Sequence, residues 1–160
     1  MDQFRHNAAQ SDDQRSNRPE RSAMSYALTA TVEKPYEQTV AKVREALADQ
    51  GFGILTEIDI RATLREKLDV DVSPQIILGA CRPPLAHAAL QAEPSIGLLL
   101  PCNVVVRAVD DSTTLVEAVD PELMVELTGN AELRAIADEA TNRLGLALDS
   151  LDPRRLERKE

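Results

Sequence analysis

Two thiols hold the most chemistry in this sequence. Cys81 closes the stretch Gln75-Ile76-Ile77-Leu78-Gly79-Ala80-Cys81, just before Pro83-Pro84, and Cys102 follows Pro101. Cysteine sulfur is a soft metal ligand and a redox group, and a thiol beside a helix N-terminus has its thiolate favoured by the helix dipole. His87, on the helix that the prolines open, would complete a set with Cys81 and Cys102 suited to zinc or copper. The spacing is not that of a zinc finger. The plain alternatives are two small buried hydrophobes and a surface histidine. Asn103, next to Cys102, offers both a hydrogen-bond donor and an acceptor to a ligand.

A second group is acidic. Glu57 and Asp59 alternate along a predicted strand, and Lys67 lies about two turns into the helix that follows. Paired carboxylates with a lysine suit acid-base work. The competing account makes Asp59 a helix cap and leaves Glu57 and Lys67 solvated or ion-paired. Phosphate-binding Gly-rich loops, a nucleophile elbow, His-Glu-x-x-His and Cys-x-x-Cys are all missing from the sequence. The two histidines are His6, in a polar stretch, and His87, which disfavours a serine-histidine hydrolase.

Charge narrows the partners. The 160 residues carry a formal net charge of −9. Arg5, Arg15, Arg18 and Arg21 balance Asp2, Asp12, Asp13 and Glu20, so the excess falls on residues 24–160. An acidic surface repels phosphate backbones and anionic membranes. With no Trp, two Phe and two Tyr, stacking platforms for single-stranded nucleic acid are scarce. The apolar run Ile96-Gly97-Leu98-Leu99-Leu100 is far short of the roughly 20 residues of a membrane span. Neither nucleic acid nor membrane is expected as a partner. A cytoplasmic location with reduced thiols is the expectation.

The elements that must position these groups follow from periodicity. Residues 1–23 are polar and aperiodic and are expected to form a disordered arm. Residues 24–150 are expected to form one domain and 151–160 a ragged tail. Tyr26, Leu28, Ala30 and Val32 alternate as a half-buried strand. Pro35 opens a helix with Tyr36, Val40, Val43 and Leu47 on one face, and Gly51 ends it. Residues 52–60 form a second strand whose even positions make a dry face. Ile60, Leu64 and Leu68 share a face of a short helix capped by Asp59. Residues 75–81 form the third strand, 83–92 an Ala-rich helix, and 96–100 and 102–109 strand material broken at Pro101. Asp110-Asp111-Ser112 turns the chain into a return strand, 113–119, followed by two helices. The order β-α-β-α-β-α-β-β-α-α predicts an α+β fold: a mixed, largely antiparallel sheet with helices mainly on one face.

Three of these segments together resemble the family catalogued as domain of unknown function 302. They are Gly51-Phe52-Gly53-Ile54-Leu55-Thr56-Glu57-Ile58-Asp59 with Lys67-Leu68, then Ile77-Leu78-Gly79-Ala80-Cys81 with Pro83 and Ala86. The third is Pro94-x-Ile96-Gly97-x-Leu99-Leu100-Pro101-Cys102-Asn103-Val104. The resemblance covers about residues 24–127. It implies a small α+β domain that forms a dimer, and it brings no established activity or cofactor. Arg82 stands where the family typically has Asn. The expectation is a homodimeric module that binds or senses a small molecule or metal at a thiol-lined rim. The alternative is an enzyme using Cys81 and Cys102 in redox chemistry, or Glu57, Asp59 and Lys67 as acid and base.

Overall fold

A computed structural model describes residues 26–153; the arm expected at 1–23 and most of the expected tail lie outside the described residues. Five strands form one sheet: β1 (Ala27–Val32), β2 (Gly53–Asp59), β3 (Gln75–Cys81), β4 (Cys102–Ala108) and β5 (Thr114–Val119). Their spatial order is β1-β5-β4-β3-β2, and every pairing is antiparallel. The helices are α1 (Tyr36–Asp49), α2 (Ile60–Leu68), α3 (Pro83–Ala92), α4 (Glu122–Thr128) and α5 (Arg134–Asp149).

Strand alternation sets the core. Ala30 and Val32 of β1, Val116 and Ala118 of β5, Val104 and Val106 of β4, and Leu78 and Ala80 of β3 share one buried face. Val43, Ala46 and Leu47 of α1 and Leu144, Ala147 and Leu148 of α5 pack onto it. Pro35 precedes α1 as expected, and Gly51, at φ 81°, provides the left-handed residue after it. Thr39 is fully buried on α1 and donates its hydroxyl to the Pro35 carbonyl at 3.0 Å. Beyond α5, Leu151 packs against the core and Asp152 is buried, so the folded unit continues past residue 150.

Three local expectations change. The dry face proposed for β2 is interrupted, because a bulge between Ile54 and Thr56 shifts the register. Ile54 pairs with Ala80 on the core side, then Glu57 pairs with Leu78, and Thr56 and Ile58 turn to the opposite face beside Gly79 and Ile77. The apolar face expected on α2 is not buried: no residue of that helix is, and Leu68 is 66% exposed. Residues 96–100 are not a strand. Pro94–Leu99 forms a 3-10 helix, started by Pro94 and stopped before Pro101, with Ile96 buried. Proline at both ends favours a compact turn over a ladder-forming strand here.

Candidate functional site

The register of β3 and β4 places the thiols. Ala80 pairs with Cys102, so Cys81, one residue on, ends β3 beside the start of β4. Both cysteines are free; Cys102 is buried and Cys81 half-buried. They border one small cavity of about 30 Å³, with Arg82, Leu100, Pro101 and Met124 also in its wall. Burial, then the charge of Cys81, pushes the Cys102 thiol up to about 11. Cys102 is therefore a protonated thiol at neutral pH, a poor nucleophile.

Gly79 makes the packing above this end possible. A Cβ there would lie 2.1 Å from Thr56 Oγ1 and 2.8 Å from Pro101 Cγ. The absent side chain lets the bulged β2 and the start of β4 close over β3.

A second, larger volume opens on the other side of Cys102. This cleft holds about 230 Å³ and shares Leu100, Pro101, Cys102 and Met124 with the small cavity. Leu98 and Leu127 flank it, 88% and 67% exposed, and Asn103 and Asp120 provide its polar corner. Asp120 accepts a hydrogen bond from the Glu122 amide at 2.9 Å, which fixes it at the start of α4. Asn103 is exposed and makes no side-chain hydrogen bond among the described residues.

The remaining predicted residues do not join this site. His87 is exposed on α3. Among the described residues no three His, Cys, Asp or Glu side chains are gathered to hold a metal, so the structure does not assemble Cys81, Cys102 and His87 into such a set. Glu57 is hydrogen-bonded to Arg44 of α1, which holds its carboxyl below the usual carboxylate value. Asp59 accepts from the Ala62 amide at 2.9 Å and caps α2. Lys67 is exposed and pairs with neither carboxylate; the basic side chains of α2 that do engage a carboxylate are Arg61 and Arg65, bonded to Asp71 at 3.1 Å and 2.9 Å. Sequence reasoning missed Met124, which borders both volumes, and Asp120, which borders the cleft together with Cys102. The methionine carries a signal, being the only one among the described residues.

These features define a class: a small antiparallel α+β domain with two cysteines and a cleft at one end of its sheet. The chain belongs to the family described as domain of unknown function DUF302, whose model matches residues 28–151. It is similar to the crystal structure of the uncharacterized conserved protein DUF302 from Bacillus stearothermophilus, with a TM-score of 0.73 and 29% identity over 79% of this chain and 98% of that one. No curated protein matches. Among the described residues no helix is long and apolar enough to cross a membrane.

Proposed function

We propose that this chain is a homodimeric module that binds or senses a small molecule in the cleft beside Cys102 and Asn103. The cleft itself carries the reading: about 230 Å³ of apolar wall converging on Asn103 and Asp120. Drug-sized ligands use roughly 300–1,000 Å³, so the occupant is small. Aliphatic walls with an amide and a carboxylate at one corner favour an aliphatic body with an amine or hydroxyl head. The enzymatic alternative has less support. Cys102 stays protonated through burial, Glu57 is committed to Arg44, and Asp59 to its cap.

A second copy would cover the helix-free face of the sheet. Ile58, Ile77 and Val105 are register partners across it, and Ile58 is 45% exposed.

Ligand-detected NMR with hexylamine, hexanol and hexanoate tests the cleft. The amine and alcohol should bind, and Leu123→Trp, which fills the cleft, should remove the signal. Equal binding by the filled variant, or preference for hexanoate, would reject it. Light scattering should give a dimer for the wild type and a monomer for Val105→Lys.

A further inference from the structure

The cleft lies where the chain enters the sheet. Tyr26 is the first described residue. Its carbonyl accepts a hydrogen bond from the Asp120 amide at 2.9 Å, and Ala27 pairs with Val119. Val119 and Asp120 both line the cleft. Residues 1–25 therefore join the fold at the cleft wall. At about 3.3 Å per residue of extended chain, Met24 lies within about 7 Å of Tyr26 and Arg21 within about 17 Å.

The chemistry of this stretch complements the cleft. The walls are aliphatic, with Leu98, Leu123, Met124 and Leu127 among them. Met24 is the one long apolar side chain between Gln14 and Ser25, and methionine adapts to irregular gaps. The rim is acidic. Asp120 stands at one end, and Glu126 lies one helical step from Leu123 on α4. Glu126 is exposed and has no ion-pair partner among the described residues; the neighbouring cation, Arg134, is hydrogen-bonded to Glu122. Residues 14–25 carry Arg15, Arg18 and Arg21 against the single Glu20. Glu126 is six residues beyond Asp120, about 9 Å along a helix, which is inside the reach of Arg21.

We propose that the cleft has an occupant in its own chain: Met24 folds back into it and Arg21 pairs with Glu126, so that residues 21–25 occlude the site. As regulation this rests on the ligand-binding reading of the cleft; the contact itself does not. A free ligand must offset its lost translational freedom. A side chain tethered two residues from the wall faces an effective concentration of about millimolar or more. Residues 1–23 are polar and offer little else to bury, which confines the contact to the stretch beside the tether. A small molecule must then displace Met24, so the segment sets the concentration at which the cleft fills.

The test uses the full chain with ¹³C-methyl methionine. The chain has three methionines, Met1, Met24 and Met124, so each methyl is read separately. A cross-peak should join the Met24 and Met124 methyls and survive dilution of the labelled chain into excess unlabelled chain. Arg21→Glu should weaken it, and adding Glu126→Arg should restore it. Met24→Glu leaves the described domain unaltered and should bind hexylamine about threefold more tightly, the gain expected if the segment fills the cleft two-thirds of the time. A sharp Met24 methyl without cross-peaks would overturn the proposal. So would a cross-peak lost on dilution, which would put the segment in a second copy, or equal hexylamine affinity in wild type and Met24→Glu. If hexylamine binds neither protein, the ligand reading of the cleft falls, and the cross-peak alone decides whether the segment docks.

Discussion

The thiol end of the sheet and its acidic edge are the two places where the sequence offers chemistry, and the structure treats them in opposite ways. At the thiol end β3, β4, α3 and α4 converge, Leu78 and Ala80 are fully buried, and two volumes open beside Cys102. At the acidic edge β2 is the outermost strand, its residues are largely exposed, and α2 buries nothing. There three carboxylates have ordinary structural partners: Arg44 for Glu57, the Ala62 amide for Asp59, and Arg61 with Arg65 for Asp71. The residue types at the edge suit catalysis better than aliphatic side chains and thiols do. What separates the two regions is enclosure, which changes the chemistry of a group by removing its water.

The largest effect expected from this contrast is at Gly79. Gly79→Ala forces a methyl against Thr56 and the Pro101 ring, and urea unfolding should show a loss of about 1–3 kcal/mol, the usual cost of overpacking. Unchanged stability would mean that the thiol end is loosely closed, and the contrast would fail.

A pH dependence comes next. The Cys102 thiol titrates at about 11 in the folded chain against 9.0 for an ordinary thiol. Between those values the unfolded chain has lost a proton that the folded chain keeps. Stability from this group is therefore complete below pH 9.0 and falls as pH rises toward about 11. Replacing Cys102 with Ala should flatten that part of the stability curve, and iodoacetamide labelling of Cys102 should stay slow at pH 8. Fast labelling there would show an accessible thiolate.

The acidic edge should respond weakly. Asp59→Ala should cost about 1 kcal/mol through the lost cap, while Asp59→Asn, which also caps, should cost a few tenths at most. The smallest expected change is Glu57→Gln, an exposed ion-pair member whose loss should leave the thermal midpoint where it was. A large fall in hexylamine binding from either change, with stability intact, would place function at this edge after all.

Much of this fold was legible because its signals are local. Pro35 and Gly51 bracket α1, Asp59 caps α2, Pro83-Pro84 open α3, and strand alternation in Val104, Val106, Val116 and Ala118 names the core face. The misread segments lack such signals. A bulge at Leu55 leaves the composition of β2 unchanged while reversing which side Glu57 faces. Residues 96–100 have the apolar content of a strand, and only the placement of Pro94 and Pro101 argues for the 3-10 turn. In the site, the proximity of Cys81 and Cys102 follows from strand pairing. Met124 arrives through the packing of α4, more than twenty residues away along the chain, which no spacing rule encodes. Arg82 stood out against the family resemblance, but that its Nε is buried without a hydrogen-bond partner among the described residues is visible only in three dimensions.

The strand order has a kinetic meaning. β2 to β5 are neighbours in the sheet in the same sequence in which they occur in the chain, so each new pairing closes a modest loop. β1 is the exception. Ala27 must find Val119, and the carbonyl of Lys34 must find the Thr114 hydroxyl, at 2.9 Å, across most of the folded chain. Loop-closure entropy places such a contact late in folding, after the four-stranded meander has formed. Weakening β1 should therefore accelerate unfolding and leave the refolding rate nearly unchanged. Among the described strands, the first synthesised would be the last to dock.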